Sequence, residues 1–293
     1  MKSQSAMTVM FCDRMQAPAQ GGSPSAAKPA QVVAAWRDEG LPMRVLEPEP
    51  ATIDELCLAH ERAFVEDVLA LRRPNGFETI DARVAASLPY TSGAMLSAAR
   101  VALRERTAVC APVSGFHHAQ WAASWGYCTF NGLMVTALAL ARAGLVRRVA
   151  IIDCDQHEGD GTSAIIDRLG CADWVHHFTA GRDFHRPSQV AAFFARLASE
   201  LRVLDSVDLV LYQAGADPHV DDPLGGWMTT EQMRRRDACV FDAAAARGTP
   251  LVWNLAGGYQ RDASGGIAPV LAIHRNTAIE HVRAFTTATP IAR

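Results

Sequence analysis

Lysine is nearly missing from this chain: of 28 basic residues only Lys2 and Lys28 are lysines, and both stand in the N-terminal stretch. That scarcity leaves no GxxxxGK[ST] phosphate loop and no lysine near the later strand ends for a Schiff base. ATP-driven and pyridoxal-type mechanisms are therefore not expected. CxxC pairs are missing as well. The seven cysteines, Cys12, Cys57, Cys110, Cys128, Cys154, Cys171 and Cys239, form an odd, scattered set, expected to be reduced thiols that mostly fill core space. No run of about 18 apolar residues appears, so no membrane span is expected. Met1 to Met15 lack the apolar core and cleavage site of a secretory leader, and a cytoplasmic location is expected. A net charge of −3 supplies no basic surface, so nucleic acid is not an expected direct partner.

What the chain does have is an ordinary globular composition, 49% hydrophobic and 20% charged. Its 293 residues suffice for a large core. A short apolar run, Thr8 to Cys12, predicts an opening strand, and the Gly-, Pro-, Ala- and Ser-rich stretch from Gln16 to Pro29 predicts a loop. Helical patterns follow at Ile53–Leu71 and Gly93–Arg106, the first with a Thr52/Glu55 capping box. From residue 108 the alternation is regular. Strands are predicted at Ala108–Val113, Arg148–Asp153, Trp174–Phe178, Val207–Gln213 and Pro250–Leu255. Helices are predicted at Asn131–Gly144, Thr162–Leu169, Ser188–Leu204, Thr230–Arg247 and Ala263–Phe285. Strands apolar on both faces that alternate with helices imply a parallel sheet covered on both sides. No repeat or linker interrupts the pattern, so residues 1–293 are expected to form one α/β domain, with 1–30 partly loop-like.

In open α/β sheets ligands bind beyond the carboxyl ends of the strands, and those ends are loaded here. After Arg148–Ile152 the chain reads Asp153-Cys154-Asp155-Gln156-His157-Glu158-Gly159-Asp160-Gly161-Thr162. In extended chain, residues two apart point the same way, so Asp153, Asp155 and His157 can share one side. Two carboxylates and an imidazole at that spacing suit a divalent metal; the plainer reading is a polar turn that caps the next helix through Asp160 or Thr162. Asp217 stands at the exit of the 207–213 strand, where a third ligand would complete the set, with His219 as the alternative. The tandem His117-His118 could serve as ligands, as a surface patch or as an acid/base pair; with three ligands already available, proton transfer is favoured. Asp153 and Asp160 are free to orient the pair. His176-His177, inside a strand, reads as structural packing. Gly257-Gly258 permits a tight turn that presents the Tyr259 hydroxyl as an oxyanion donor.

These segments, Gly115-Phe116-His117-His118-Ala119, Gly126-Tyr127-Cys128-Thr129-Phe130-Asn131, Asp153–Thr162, Gln213–Asp217 and Gly257-Gly258-Tyr259, occur in the order seen in histone deacetylases. The chain resembles that family, which includes acetylpolyamine amidohydrolases and acetoin-utilisation proteins, over roughly residues 90–285. The resemblance implies an arginase-deacetylase-like three-layer α/β fold and one zinc ion held by Asp155, His157 and Asp217. It implies His117 and His118 as the catalytic pair, backed by Asp153 and Asp160, and Tyr259 as the residue that polarises the substrate carbonyl. Gly126 and Tyr127 match the acyl-channel wall, with Phe184 facing them. A potassium ion near Asp153, Asp155 and His157 is also implied. The implied reaction is zinc-dependent hydrolysis of an acylated amine: acetyl-lysine, an acetylpolyamine or a related small molecule. A catalytically silent acyl reader and a dimanganese ureohydrolase-type enzyme are the alternatives, and homo-oligomerisation is left open. Three departures bear on substrate choice. Glu158 follows His157 where the family often has a second histidine, the proline-glycine loop is absent between Gly181 and Ser188, and Gly21-Gly22-Ser23-Pro24 stands near the place of the early HPE-type signature.

Overall fold

The apolar runs become strands because each is short and buried on both faces, which suits the interior of a parallel sheet. The computed structural model describes residues 6–286; Lys2 and the outer ends of the 1–293 domain lie outside these. The strands are β1 (Met7–Met10), β2 (Met43–Leu46), β3 (Ala108–Cys110), β4 (Val149–Asp153), β5 (Val175–Thr179), β6 (Leu209–Gln213) and β7 (Leu251–Asn254). They form one sheet in the order β2-β1-β3-β7-β6-β4-β5, and every neighbouring pair runs parallel. All the carboxyl ends therefore open on the same edge.

The helices are α1 (Lys28–Asp38), α2 (Ile53–Leu56), α3 (Arg62–Leu69), α4 (Ala82–Glu105), α5 (Gly132–Arg142), α6 (Asp160–Leu169), α7 (Val190–Glu200), α8 (Thr230–Arg247) and α9 (Ala268–Thr286). Strand side chains alternate between two cores, as a period of two requires. Val109, Ile151, Leu211 and Val252 pack beneath α3 to α6, while Cys110, Ile152, Tyr212 and Trp253 pack beneath α1 and α7 to α9. The result is the expected three-layer sandwich. α8 shows how local chemistry sets the boundaries. Thr229 and Gln232 form a reciprocal capping box at its start, and Gly248 closes it in the left-handed region at φ +62°.

Several boundaries differ from the sequence pattern, each for a physical reason. The expected helix 53–71 is broken into α2 and α3, because His60 turns inward to bond Gln120 and Asn131. α4 starts at Ala82, not Gly93: Asp81 caps it, and Pro89 lies inside the helix. Gly93 is the point where the chain at Glu49–Ala51 crosses α4; a Cβ there would stand 2.1 Å from Glu49 O. The loop reading of 16–29 holds only up to residue 27, since α1 begins at Lys28. The edge strand β2 is four partly exposed residues with no apolar alternation to mark it.

Two buried histidines tie the layers together in their neutral form. His60 Nε2 accepts the Asn131 N–H at 2.8 Å while Nδ1 donates to Gln120 O at 2.8 Å. His281 Nδ1 accepts the Trp253 indole N–H at 2.8 Å. Protonation would abolish either accepted bond. Burial pushes His60 down to about 4 and His281 down to about 3, from an ordinary value of 6.5. The folded chain thus refuses protons that the unfolded chain takes up below pH 6.5. Their contribution is full above that pH and is lost as pH falls toward 4 and then 3, at about 1.4 kcal/mol per pH unit for each imidazole. Urea unfolding at pH 7.5, 6 and 5 is expected to show this decline. Equal stability at pH 7.5 and 5 would contradict it.

Candidate active site

Four neighbouring strand ends deliver the polar residues: β3 leads to His117 and His118, β4 to Asp153 through Asp160, β6 to Asp217 and β7 to Tyr259. The β4 exit is a ladder of side chain-to-backbone turns. Asp153 Oδ1 accepts the Asp155 N–H at 3.1 Å, and Asp155 Oδ1 accepts the His157 N–H at 2.9 Å. The three side chains do not share one target. Asp153 turns to His117, whereas Asp155 and His157 meet Asp217.

His157 Nδ1 lies 3.2 Å from Asp155 Oδ1 and 3.1 Å from Asp217 Oδ2. Among the described residues these three form the one cluster able to hold a metal ion, with candidate ligand atoms all within 4.8 Å of one another. Both carboxylates are buried. Against the effect of burial, the two carboxylates raise His157 to about 11. Burial and the neighbouring Asp155 raise Asp217 to about 7. Asp155 is held well below the carboxylate range in spite of burial, by the His117 and His157 charges. Two buried acids that can ionise together only beside an extra positive charge, with oxygen and nitrogen donors converging on one point, fit a divalent cation. The close approach explains Gly257: its N–H donates to Asp155 Oδ2 at 2.8 Å, and a Cβ there would sit 2.1 Å from Asp217 Oδ2. His219, the alternative ligand, is engaged elsewhere, with Nε2 2.9 Å from Thr230 Oγ1 and Nδ1 accepting the Asp221 N–H.

The tandem histidines stand beside this cluster. His117 Nδ1 is 2.8 Å from Asp153 Oδ2, and His118 Nδ1 is 2.6 Å from Asp160 Oδ1, which leaves Nε2 of each as the other ring nitrogen. Their ring centroids are 4.1 Å apart. Although burial opposes charge on His117, Asp153 and Asp155 raise it to about 9. Burial and the His117 charge push His118 downward. Adjacent residues thus differ in the way acid/base work requires, one charged and one neutral at pH 7. Gln120 completes the support by donating to Asp160 Oδ2 at 3.1 Å.

A cleft of about 470 Å³ opens over His118, His157 and Tyr259. Gly126 and Tyr127 are among its lining residues. Gly126 adopts φ +55°, and a Cβ there would stand 2.5 Å from His118 Cδ2. Tyr127 itself sits at φ +64°, as Phe116 and Ala256 sit at +95° and +48°. Of these, Tyr127 lines the cleft, as does Glu78 at φ +60°. Phe184 requires correction. It is buried in the α7–α9 core against Phe193 and Trp227, with ring centroids at 5.5 and 6.1 Å, and does not line the cleft. The rings beside Tyr127 are Phe77 and Tyr259, each at 5.7 Å, and Trp125 and Leu224 flank the mouth. A larger cleft of about 820 Å³ lies at the opposite sheet edge. Its Arg104, Arg106 and Arg247 are each engaged by a protein oxygen, and it holds none of the groups above.

Sequence reasoning missed three buried supports. The absence of a lysine near the later strand ends is contradicted by the fold: Lys28, fully buried at the start of α1, donates to Ala256 O at 2.6 Å and Gly257 O at 3.1 Å. Burial lowers its ammonium to about 8, against the pull of Asp217, Asp155 and Asp222. Its two carbonyl bonds make it a brace for the Tyr259 turn. Asp222 accepts the Tyr259 N–H at 2.8 Å and the Leu224 N–H at 3.0 Å, so it fixes the same turn from the other side. Arg236 is the third. Lys28 alone carried a signal, a charge set among apolar neighbours; Asp222 and Arg236 stand beside other charged residues and carried none.

Comparison with known proteins gives the family and the fold. The histone deacetylase domain model matches residues 24–176, just over half of the chain. The chain belongs to the histone deacetylase family. It is 29% identical over 250 residues to an uncharacterized protein of Picosynechococcus sp., covering 75% of this chain and 80% of that one. It is 32% identical over 156 residues to a probable deacetylase of Methanothermobacter thermautotrophicus, covering 51% of this chain and 46% of that protein. The match thus spans under half the length of that named deacetylase. The crystal structure of the HDA15 HD domain superposes with a TM-score of 0.76 at 19% identity, covering 98% of this chain and 91% of that one, which establishes the shared fold.

The relocated phenylalanine yields a test of the two rings' roles. Phe184→Ala is expected to cost about 3–5 kcal/mol in urea unfolding, as for any buried phenylalanine, and Phe77→Ala clearly less. A Phe184→Ala loss under about 1 kcal/mol would place that ring outside the core.

Proposed function

We propose that residues 1–293 form a single catalytic domain that hydrolyses the acyl amide of an acylated amine, using one zinc ion held by Asp155, His157 and Asp217. The observation that carries this reading is the convergence of two buried carboxylates on His157 beside a histidine pair of split character. A zinc ion so held supplies Lewis acidity toward the acyl carbonyl and acidifies a water. Asp153 and Asp160 orient the two imidazoles through their Nδ1 atoms. His118, kept neutral by burial and the His117 charge, accepts the proton of the attacking water and passes it to the departing amine. His117 stands beside it, bonded through Nδ1 to Asp153, as a hydrogen-bond donor. The Tyr259 phenol, raised well above its ordinary value by burial and by Asp217 and Asp155, keeps its proton and donates to the carbonyl oxygen as negative charge develops there. A potassium ion beside Asp153, Asp155 and His157 belongs to the same proposal.

The mouth bears on the substrate. Phe77, Trp125 and Leu224 surround it with a single carboxylate, Glu78, among the lining residues. Apolar walls around one acid favour an acyl-lysine side chain on a peptide, or a similarly flanked amine, over a polycation. The dimanganese alternative needs more carboxylate ligands around a metal pair, whereas the described residues offer a single cluster, Asp155, His157 and Asp217. A silent reader would not need His118 and Tyr259 beside the ligands. No helix among the described residues is long and apolar enough to cross a membrane, and we propose action in the cytoplasm.

A fluorogenic acetyl-lysine amide, turned over before and after chelation and again with zinc restored, tests the reaction. Activity is expected to vanish with chelator and to return with zinc. Tyr259→Phe is expected to lower turnover about 100- to 1000-fold with metal content unchanged, and His118→Ala by about 100-fold or more. Turnover that survives chelation, or a Tyr259→Phe variant as fast as the parent, would overturn the mechanism.

A further inference from the structure

Helix α8 carries a buried guanidinium to which the reaction scheme assigns no task. Arg236 is fully buried, and its Nη1 donates to Cys154 O at 3.1 Å and to Gly215 O at 2.8 Å. Cys154 directly precedes Asp155, and Gly215 lies two residues before Asp217. One nitrogen therefore holds both loops that supply the converging carboxylates. The sheet cannot do this alone, because the β4–β6 register ends at the pair Asp153 and Gln213. Beyond that pair the two loops carry like charges toward each other inside the protein, where separation is favoured unless something pins the backbone.

The guanidinium is itself pinned. Asp237, the next residue of α8, accepts from Arg236 Nε at 2.8 Å, and Nη2 lies 2.8 Å from the same oxygen. Asp237 also accepts the Tyr212 hydroxyl of β6 and the Thr277 hydroxyl of α9, the latter at 2.6 Å. The unit thus spans the last turn of a sheet strand and two helices of the covering layer. A buried ion pair of this kind adds little net stability over an apolar filling. An apolar filling, however, would leave both loop carbonyls without a donor and the loops without a fixed separation.

We propose that Arg236, oriented by Asp237, is a positioning residue for the metal site, setting the spacing between the Asp155 and Asp217 loops. The proposal rests on reading Asp155, His157 and Asp217 as the ligands. Its consequence is in metal affinity rather than in fold stability, since groups that orient ligands typically contribute 10- to 100-fold to affinity.

The test is titration of the metal-free full chain with Co²⁺ against a chromophoric chelator, for the parent, Arg236→Lys and Asp237→Asn. Thermal melts of the metal-free forms are recorded alongside. Lysine keeps the charge but offers a single ammonium that cannot hold two carbonyls and Asp237 in the same fork geometry. Arg236→Lys is expected to raise the Kd for Co²⁺ by about 10- to 100-fold and to change the visible cobalt spectrum. Arg236→Lys with the parental Kd and spectrum overturns the proposal, whatever its melting temperature. Should that variant not fold, the near-isosteric Asp237→Asn carries the test: a weaker Kd supports the proposal and an unchanged one overturns it. A parent chain that binds no Co²⁺ at all would remove the metal-site reading and this inference with it, a result distinct from selective loss in the variants.

Discussion

Two carboxylates, Asp155 and Asp217, are buried side by side with His157 set 3.1–3.2 Å from both. Burying like charges together is costly unless a positive charge joins them, and much of the surrounding structure manages that cost. Backbone donors from Gln156, His157 and Gly257 reach the two acids. Glycine at 257 lets the β7 turn approach without a side chain in the way. Lys28 and Arg236, both fully buried, stand behind the loops and hold their carbonyls. An arrangement so expensive without a cation is most simply one built around it.

The parallel sheet makes the arrangement possible. With all seven strands running the same way, the loops after β3, β4, β6 and β7 leave from one edge, and β7, β6 and β4 are consecutive neighbours there. Residues 117, 155, 217 and 259, far apart in the chain, are thereby brought to the same edge of the sheet. The side chains then divide the labour: Asp153 and Asp160 take the histidines, and the remaining carboxylates take His157. Binding that places a carbonyl near Tyr259 needs only a cleft, and Phe77, Tyr127 and Trp125 form one.

The positions of the strands were legible in the sequence because short buried apolar runs leave strong patterns, and β4, β6 and α8 fall within a residue or two of their expected limits. The extended-chain reading of Asp153, Asp155 and His157 did not hold: the chain beyond Asp153 is turned, and Asp153 faces His117 instead of the other two. The loops beyond those strands were harder. Phe184 was placed in the channel only by the family resemblance, but the chain there turns its ring into the core beneath α7. Phe77 lies 50 residues before Tyr127, and only tertiary folding joins them. Lys28 seemed remote from the strand ends because a loop-like composition hid the start of α1. Arg236 and Asp237 sit in a helix whose polar residues otherwise read as a solvated face, and nothing in their spacing signals burial. Local pattern reveals ligands; support from behind is a property of packing.

The most direct measurement is calorimetric titration of the metal-free chain with Zn²⁺, performed in buffers of different ionisation enthalpy, for the parent and for Asp217→Asn. The account expects one ion per parent chain with protons released on binding, because a ligand imidazole held charged must give up its proton, and at least a large loss of affinity in the variant. No stoichiometric binding, or binding that Asp217→Asn leaves unchanged, would contradict the claim that this cluster is a metal site.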